Sequence, residues 1–166
     1  MESFAVLTEL AIAIAGFSGI TIAIHGRARV TDPVTVFRNK NLITWSLGAA
    51  FGSLLPDAVS KFGAVGPEVW AWSGLLYCPF VLYLIVSPFV ARASLSKADR
   101  ARLSRAIWFF GIAGGTLLTV ALIANAVGWV GEPSPAPIYV GVLWTILLAA
   151  IQFFRLLFSP SPSSDA

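Results

Sequence analysis

The chain has 166 residues, 57% of them hydrophobic and only 11% charged, with a net charge of +3 and a mean hydropathy of +0.83. A soluble domain carries about 25% charged residues, so the composition excludes an ordinary soluble domain and points to a polytopic all-α membrane protein; so small a net charge does not imply nucleic-acid binding. One cysteine, Cys78, rules out an intrachain disulfide, and one histidine, His25, rules out a His-based metal cluster.

Five stretches lack Asp, Glu, Lys and Arg: Leu10–Gly26, Asn41–Pro56, Val69–Ala91, Ala106–Gly131 and Pro133–Phe154. A bilayer core is crossed by about 20 helical residues. The expectation is therefore five transmembrane helices, near 4–24, 41–60, 69–91, 107–130 and 137–158, forming one membrane domain over 1–158, with a disordered cytoplasmic tail at 159–166.

The first segment begins Met1-Glu2-Ser3-Phe4. It lacks the basic start of a signal peptide and is expected to stay as a membrane helix. Ala11, Ala15, Gly19 and Ala23 form a small stripe at i, i+4 spacing, the usual packing surface between helices in lipid. Glu9 interrupts the apolar sequence. Three readings stay open for it: an outer-interface residue, a packed and hydrogen-bonded structural carboxyl, or an ion or proton site.

The second segment follows a loop with Arg27, Arg29, Arg38 and Lys40. Thr31-Asp32-Pro33 marks a helix start, with Asp32 or Thr31 as cap and Pro33 in the first turn. Its 16 uncharged residues are few for a span. If it did not cross, however, the two basic loops would fall on opposite sides. Gly48 and Gly52 suggest tight packing. Asp57 either pairs with Lys61 at the membrane surface or joins Glu9 in a polar cavity.

The third segment runs from about Pro67 to Ala91, with kinks expected at Pro79 and Pro88. Tyr77 and Cys78 lie in its outer half. A second basic loop holds Arg92, Lys97, Arg100, Arg102 and Arg105. Within it, Ser96-x-x-Asp99 resembles a capping box and predicts a basic helix running straight into the fourth span. That span carries Gly111, Gly114, Gly115 and Asn125, the last either an interhelical donor or a third member of the polar cavity. The fifth carries Gln152 near the inner interface, with no role assigned, and ends at Arg155. Trp70, Trp72, Trp129 and Tyr139 fall near one interface and Trp108, Phe153 and Phe158 near the other, as an aromatic belt.

Ten of the eleven basic residues share one face of this arrangement; Lys61 alone is on the other. The positive-inside rule then puts the N-terminus outside and the C-terminus in the cytoplasm. The second and fourth segments also match at a 63-residue offset. Trp45, Gly48, Ala50, Gly52, Leu54 and Leu55 correspond to Trp108, Gly111, Ala113, Gly115, Leu117 and Leu118, and Arg92 corresponds to Arg155. This is either a parallel duplication of a helical hairpin or chance likeness between Gly/Ala/Leu-rich spans.

No metal cluster, His-Asp-Ser set or nucleotide loop is present, so neither an enzyme nor a cofactor is expected. Two readings remain. The first is an accessory, assembly or structural membrane component acting through helix packing, at Ala11, Ala15, Gly19, Ala23, Gly48, Gly52, Gly111 and Gly115. The second is a small homo-oligomeric channel or transporter for a cation or proton, using Glu9, Asp57 and Asn125. Expected partners are the lipid bilayer, anionic lipid head groups at the basic loops, and a second copy or another membrane protein. The expected location is a bacterial inner membrane.

Overall fold

The computed structural model describes residues 2–24 and 32–158, with the side chains of 2, 3, 18 and 21–24 excepted. His25, Arg27, Arg29, Thr31, the tail 159–166 and the side chain of Ala23 lie outside the described residues. Among the described residues every regular element is a helix: α1 Glu2–Ile24, α2 Pro33–Lys61, α3 Pro67–Ala93, α4 Lys97–Ala101, α5 Arg105–Ala126 and α6 Ala136–Leu157. Four of these, α2, α3, α5 and α6, are long and apolar enough to cross a membrane, and α1 adds a shorter apolar stretch, Phe4–Phe17. This is compatible with a multi-pass membrane protein.

Local chemistry sets the helix ends. The Asp32 carboxylate accepts from the Thr35 amide at 3.1 Å and from the Thr35 hydroxyl at 2.7 Å, which starts α2 one residue before Pro33. Ser96 caps α4, its hydroxyl accepting from the Asp99 amide at 3.1 Å. The expected continuous run into the fourth span does not occur. α4 stops at Ala101, and a new helix begins after Ser104, whose hydroxyl accepts from the Ile107 amide. A second capping residue within eight positions of the first takes the amides that a continuous helix would use internally. The fourth predicted segment also overruns. α5 ends at Ala126 because Gly128 adopts φ 75° and closes a glycine cap, with the Trp129 amide on Ala124 O at 2.9 Å and the Gly128 amide on Asn125 O at 3.2 Å.

α2 is the central helix. It packs on α1, α3 and α6, while α5 packs mainly on α3 and less on α6. α2 is also the least apolar of the four long helices and the most buried. The two facts are linked, because a helix whose neighbours are protein can carry Asn41, Ser46 and Ser53 inward. One cluster joins Phe4, Leu7 and Ala11 of α1 to Tyr77, Leu122 and Val142. Another, nearer the arginine-bearing end, joins Leu42, Trp45, Leu84, Leu148 and Leu156. The Thr8 and Ser53 hydroxyls, 2.6 Å apart, tie α1 to α2.

Candidate functional site

The three candidate ion-site residues have separate surroundings. Glu9 is exposed. Two positions from fully buried Ala11, it points about 200° round the helix from the packed face. Asp57 pairs with Lys61 at 2.8 Å, both side chains exposed. Asn125 is buried, its amide nitrogen donating to Ser134 O at 3.1 Å and its oxygen accepting from the Ser134 amide at 3.0 Å. That pair of bonds holds the α5–α6 connection.

The small residues divide in the same way. On α1, Ala11 is buried, Ala15 is half-buried and Gly19 is exposed with nothing within 4 Å of an added Cβ. On α2, Gly48 lies against the Phe80 ring and Gly52 against the Tyr77 ring, where a Cβ would come within 2.6 Å of a ring carbon. On α5, Gly115 lies against Ile85 and Trp144, while Gly111 has nothing within 4 Å.

A crevice of about 40 Å³ opens between α2, α3, α5 and α6 at the end that carries the arginines. Its inner part is apolar, lined by Trp45, Ile85, Ile112, Trp144 and Leu148. Asn41, Ser104 and Gln152 come next, and Arg38, Arg92 and Arg155 stand at its mouth. Helix periodicity produces this grading. On α6 the positions 144, 148, 152 and 155 repeat at three- and four-residue spacing on one face, and from first to last they cover about 16 Å of axis. Gln152 is 4% exposed, and its Oε1 has no hydrogen-bond partner. Four pairs of lining residues keep the 63-residue offset: Asn41 with Ser104, Trp45 with Trp108, Ile85 with Leu148, and Arg92 with Arg155.

The mouth is electropositive and partly ordered. Arg92 lies 4.7 Å from the Trp108 ring centroid, and Phe89 meets the same ring at 4.5 Å, edge to face. Arg92 and Leu103 also line an adjoining recess of about 340 Å³ with Lys97, Arg100 and Arg105. Two described acids lie in this region, and both meet Arg102: Asp99 is 3.6 Å from its guanidinium and accepts from the Ser96 hydroxyl at 2.7 Å. Asp32 receives a forked bond from Arg102, at 2.7 and 3.3 Å, fastening the start of α2 to the segment after α4. Burial pushes the Asp32 carboxyl up, but the hydrogen bonds from Arg102 and Thr35, with the arginine's charge, outweigh it and hold it below the ordinary carboxylate value. The bond to Asp32 in turn raises Arg102 above its ordinary value.

Sequence reasoning used Arg38, Arg92 and Arg155 for topology, Arg92 and Arg155 for the 63-residue likeness, and the basic loops for general lipid head-group contact; it did not bring the three arginines together and assigned Gln152 no role. Two signals were present: Asn41 and Gln152 as amides inside apolar segments, and the shared offset of Trp45/Trp108 and Arg92/Arg155. No known protein family, curated protein or solved structure matches this chain.

Proposed function

We propose that the protein is a five-span membrane protein, N-terminus out and C-terminus in, that serves as an accessory or assembly component of a bacterial inner membrane. It works through helix packing, with a second copy or another membrane protein as partner and with anionic lipid head groups at its basic end. The span geometry supports this reading: from Arg38 to Asp57, α2 rises about 29 Å, close to a hydrocarbon core of about 30 Å. The 63-residue likeness is then a duplicated hairpin, since α2 packs on α6 as α5 packs on α3.

The observation that carries the reading is the filled helix contacts. Phe80 occupies the space at Gly48, Tyr77 at Gly52, Trp144 at Gly114, Ile85 at Gly115 and Leu118 at Gly141. Glycines so occupied bring helices together and line no passage. One observation favours the second reading, an oligomeric cation or proton channel. Glu9 faces outward on α1, as do Gly16 and Gly19, each with nothing within 4 Å of an added Cβ. A ring of protomers packed through α1 would bring those carboxyls together.

A liposome flux assay separates the two. The accessory reading expects cation and proton flux no greater than in empty vesicles, for wild type and Glu9→Gln alike. Flux above that background, abolished by Glu9→Gln with assembly unchanged, overturns it in favour of the channel.

A further inference from the structure

We infer that the crevice and its basic recess form a specific site for one anionic phospholipid, with the phosphate at the arginine mouth and no more than the first methylenes of one acyl chain in the crevice. The inference rests on the membrane reading above but goes further, since it assigns a discrete pocket rather than general attraction to a charged surface.

Three independent features point to that occupant. The first is charge. Arg38, Arg92 and Arg155 converge on one opening, and Arg92 continues into a recess with Lys97, Arg100 and Arg105. An anion is the natural complement, and arginine binds phosphate oxygens through two parallel N–H donors. The second is shape and polarity. The crevice is small, about 40 Å³, and beyond its basic mouth it is walled by tryptophan and aliphatic side chains. The glycerol end of an acyl chain fits this grading and this size; a free anion has no use for the apolar part. The third is Gln152. It lines the crevice between its polar and apolar parts, and its buried side-chain oxygen has no hydrogen-bond partner. A native structure supplies a partner for such a group. A head-group or glycerol hydroxyl donates to that oxygen, and an amide flip would offer the nitrogen to a phosphate oxygen instead.

Arg92 has a second function here. Stacking on Trp108 holds its guanidinium at the rim, so the fork is oriented before a lipid arrives and less side-chain freedom is lost on binding.

The test is native mass spectrometry of the full chain released from nanodiscs of equal phosphatidylglycerol and phosphatidylcholine. Wild type should retain one phosphatidylglycerol in preference to phosphatidylcholine. Arg92→Gln and Arg155→Gln should each lower that preference about fivefold, the worth of one basic side chain near an anionic surface. Gln152→Leu should lower retention while leaving the lipid-free protein as thermally stable as wild type or more so, because it removes an unpartnered polar atom. That variant keeps the test decisive even if an arginine variant folds poorly. Lys61→Gln, at the opposite end, should retain lipid as wild type does. Equal retention of the two lipids, or retention unaltered by Gln152→Leu and both arginine changes, overturns the site. If inorganic phosphate at millimolar concentration displaces or replaces the lipid effect fully, the site is one for a free anion and the proposal fails. Wild type that washes from membranes in alkaline carbonate overturns the membrane reading and this inference together; wild type that stays but shows no preference overturns this inference alone.

Discussion

Asn125 and Asp57 are both polar residues toward the end of the bundle opposite the arginines, yet they differ in what their loss would cost. Asn125 is 2% exposed and satisfies both the amide and the carbonyl of Ser134. Asn125→Ala would leave those two backbone groups without partners near the α5 cap. The expected loss is about 1–3 kcal/mol of stability, read as a lower unfolding midpoint in detergent. Asp57 forms an i, i+4 pair with both side chains in the open. Such pairs are screened and cost side-chain freedom to hold, so Asp57→Asn should leave the midpoint unchanged. A larger loss at Asp57 than at Asn125 would mean that the local hydrogen-bond accounting is wrong. At the basic end, Asp32 resembles Asn125 in its task. One carboxylate caps α2 and grips Arg102, joining segments 70 residues apart.

At the scale of helices, glycine content alone does not say which surfaces are in contact. α2 and α5 share a Trp-x-x-Gly-x-Ala-x-Gly pattern, but Gly52 meets the fully buried Tyr77 ring whereas Gly111 meets nothing within 4 Å. Tyr77 has little room to give way, since its hydroxyl lies 3.4 Å from Thr145 and Phe80 stacks beside it. Gly52→Ala should therefore destabilise by about 1–3 kcal/mol, the usual cost of overpacking. Gly111→Ala should be neutral or slightly stabilising, because alanine favours helix and nothing obstructs it. Thermal unfolding of the two variants side by side checks this; equal effects would show that the α2–α3 contact is looser than the geometry implies. The same contrast explains the break between α4 and α5. A second serine cap, at 104, starts a new helix in a basic stretch that the capping box at Ser96 alone predicts as one rod.

For the whole molecule, the basic residues of the described chain other than Lys61 gather at one end of the helices, and the proposed orientation follows from that asymmetry. Single cysteines at Ala98 and Glu132, both exposed and at opposite ends, can be introduced in a Cys78→Ala background. An impermeant thiol reagent on intact cells should label position 132 and reach position 98 only after permeabilisation. The reverse pattern would invert the topology, and labelling of both would break the five-span count. The end with the crevice would then face the leaflet from which the proposed lipid is drawn.

Sequence by itself determined the all-helical class, the long apolar helices and several of their ends. These depend on residues close together in the chain: an apolar run of sufficient length, Asp32 before Pro33, Ser96 three residues before Asp99. It also showed the charge asymmetry, which is a matter of counting. Only the tertiary structure decided which helix is central, which glycines are filled and which are open, and that Glu9, Asp57 and Asn125 have separate surroundings. The crevice belonged to the same class of fact. Arg38, Arg92 and Arg155 are 54 and 63 residues apart in sequence, and each reads singly as an interfacial basic residue. Their convergence on Gln152 follows from the rotation of four helices about their axes. In lipid that rotation is set by close packing between surfaces, because apolar side chains are nearly indifferent to whether they face a neighbour or a lipid tail.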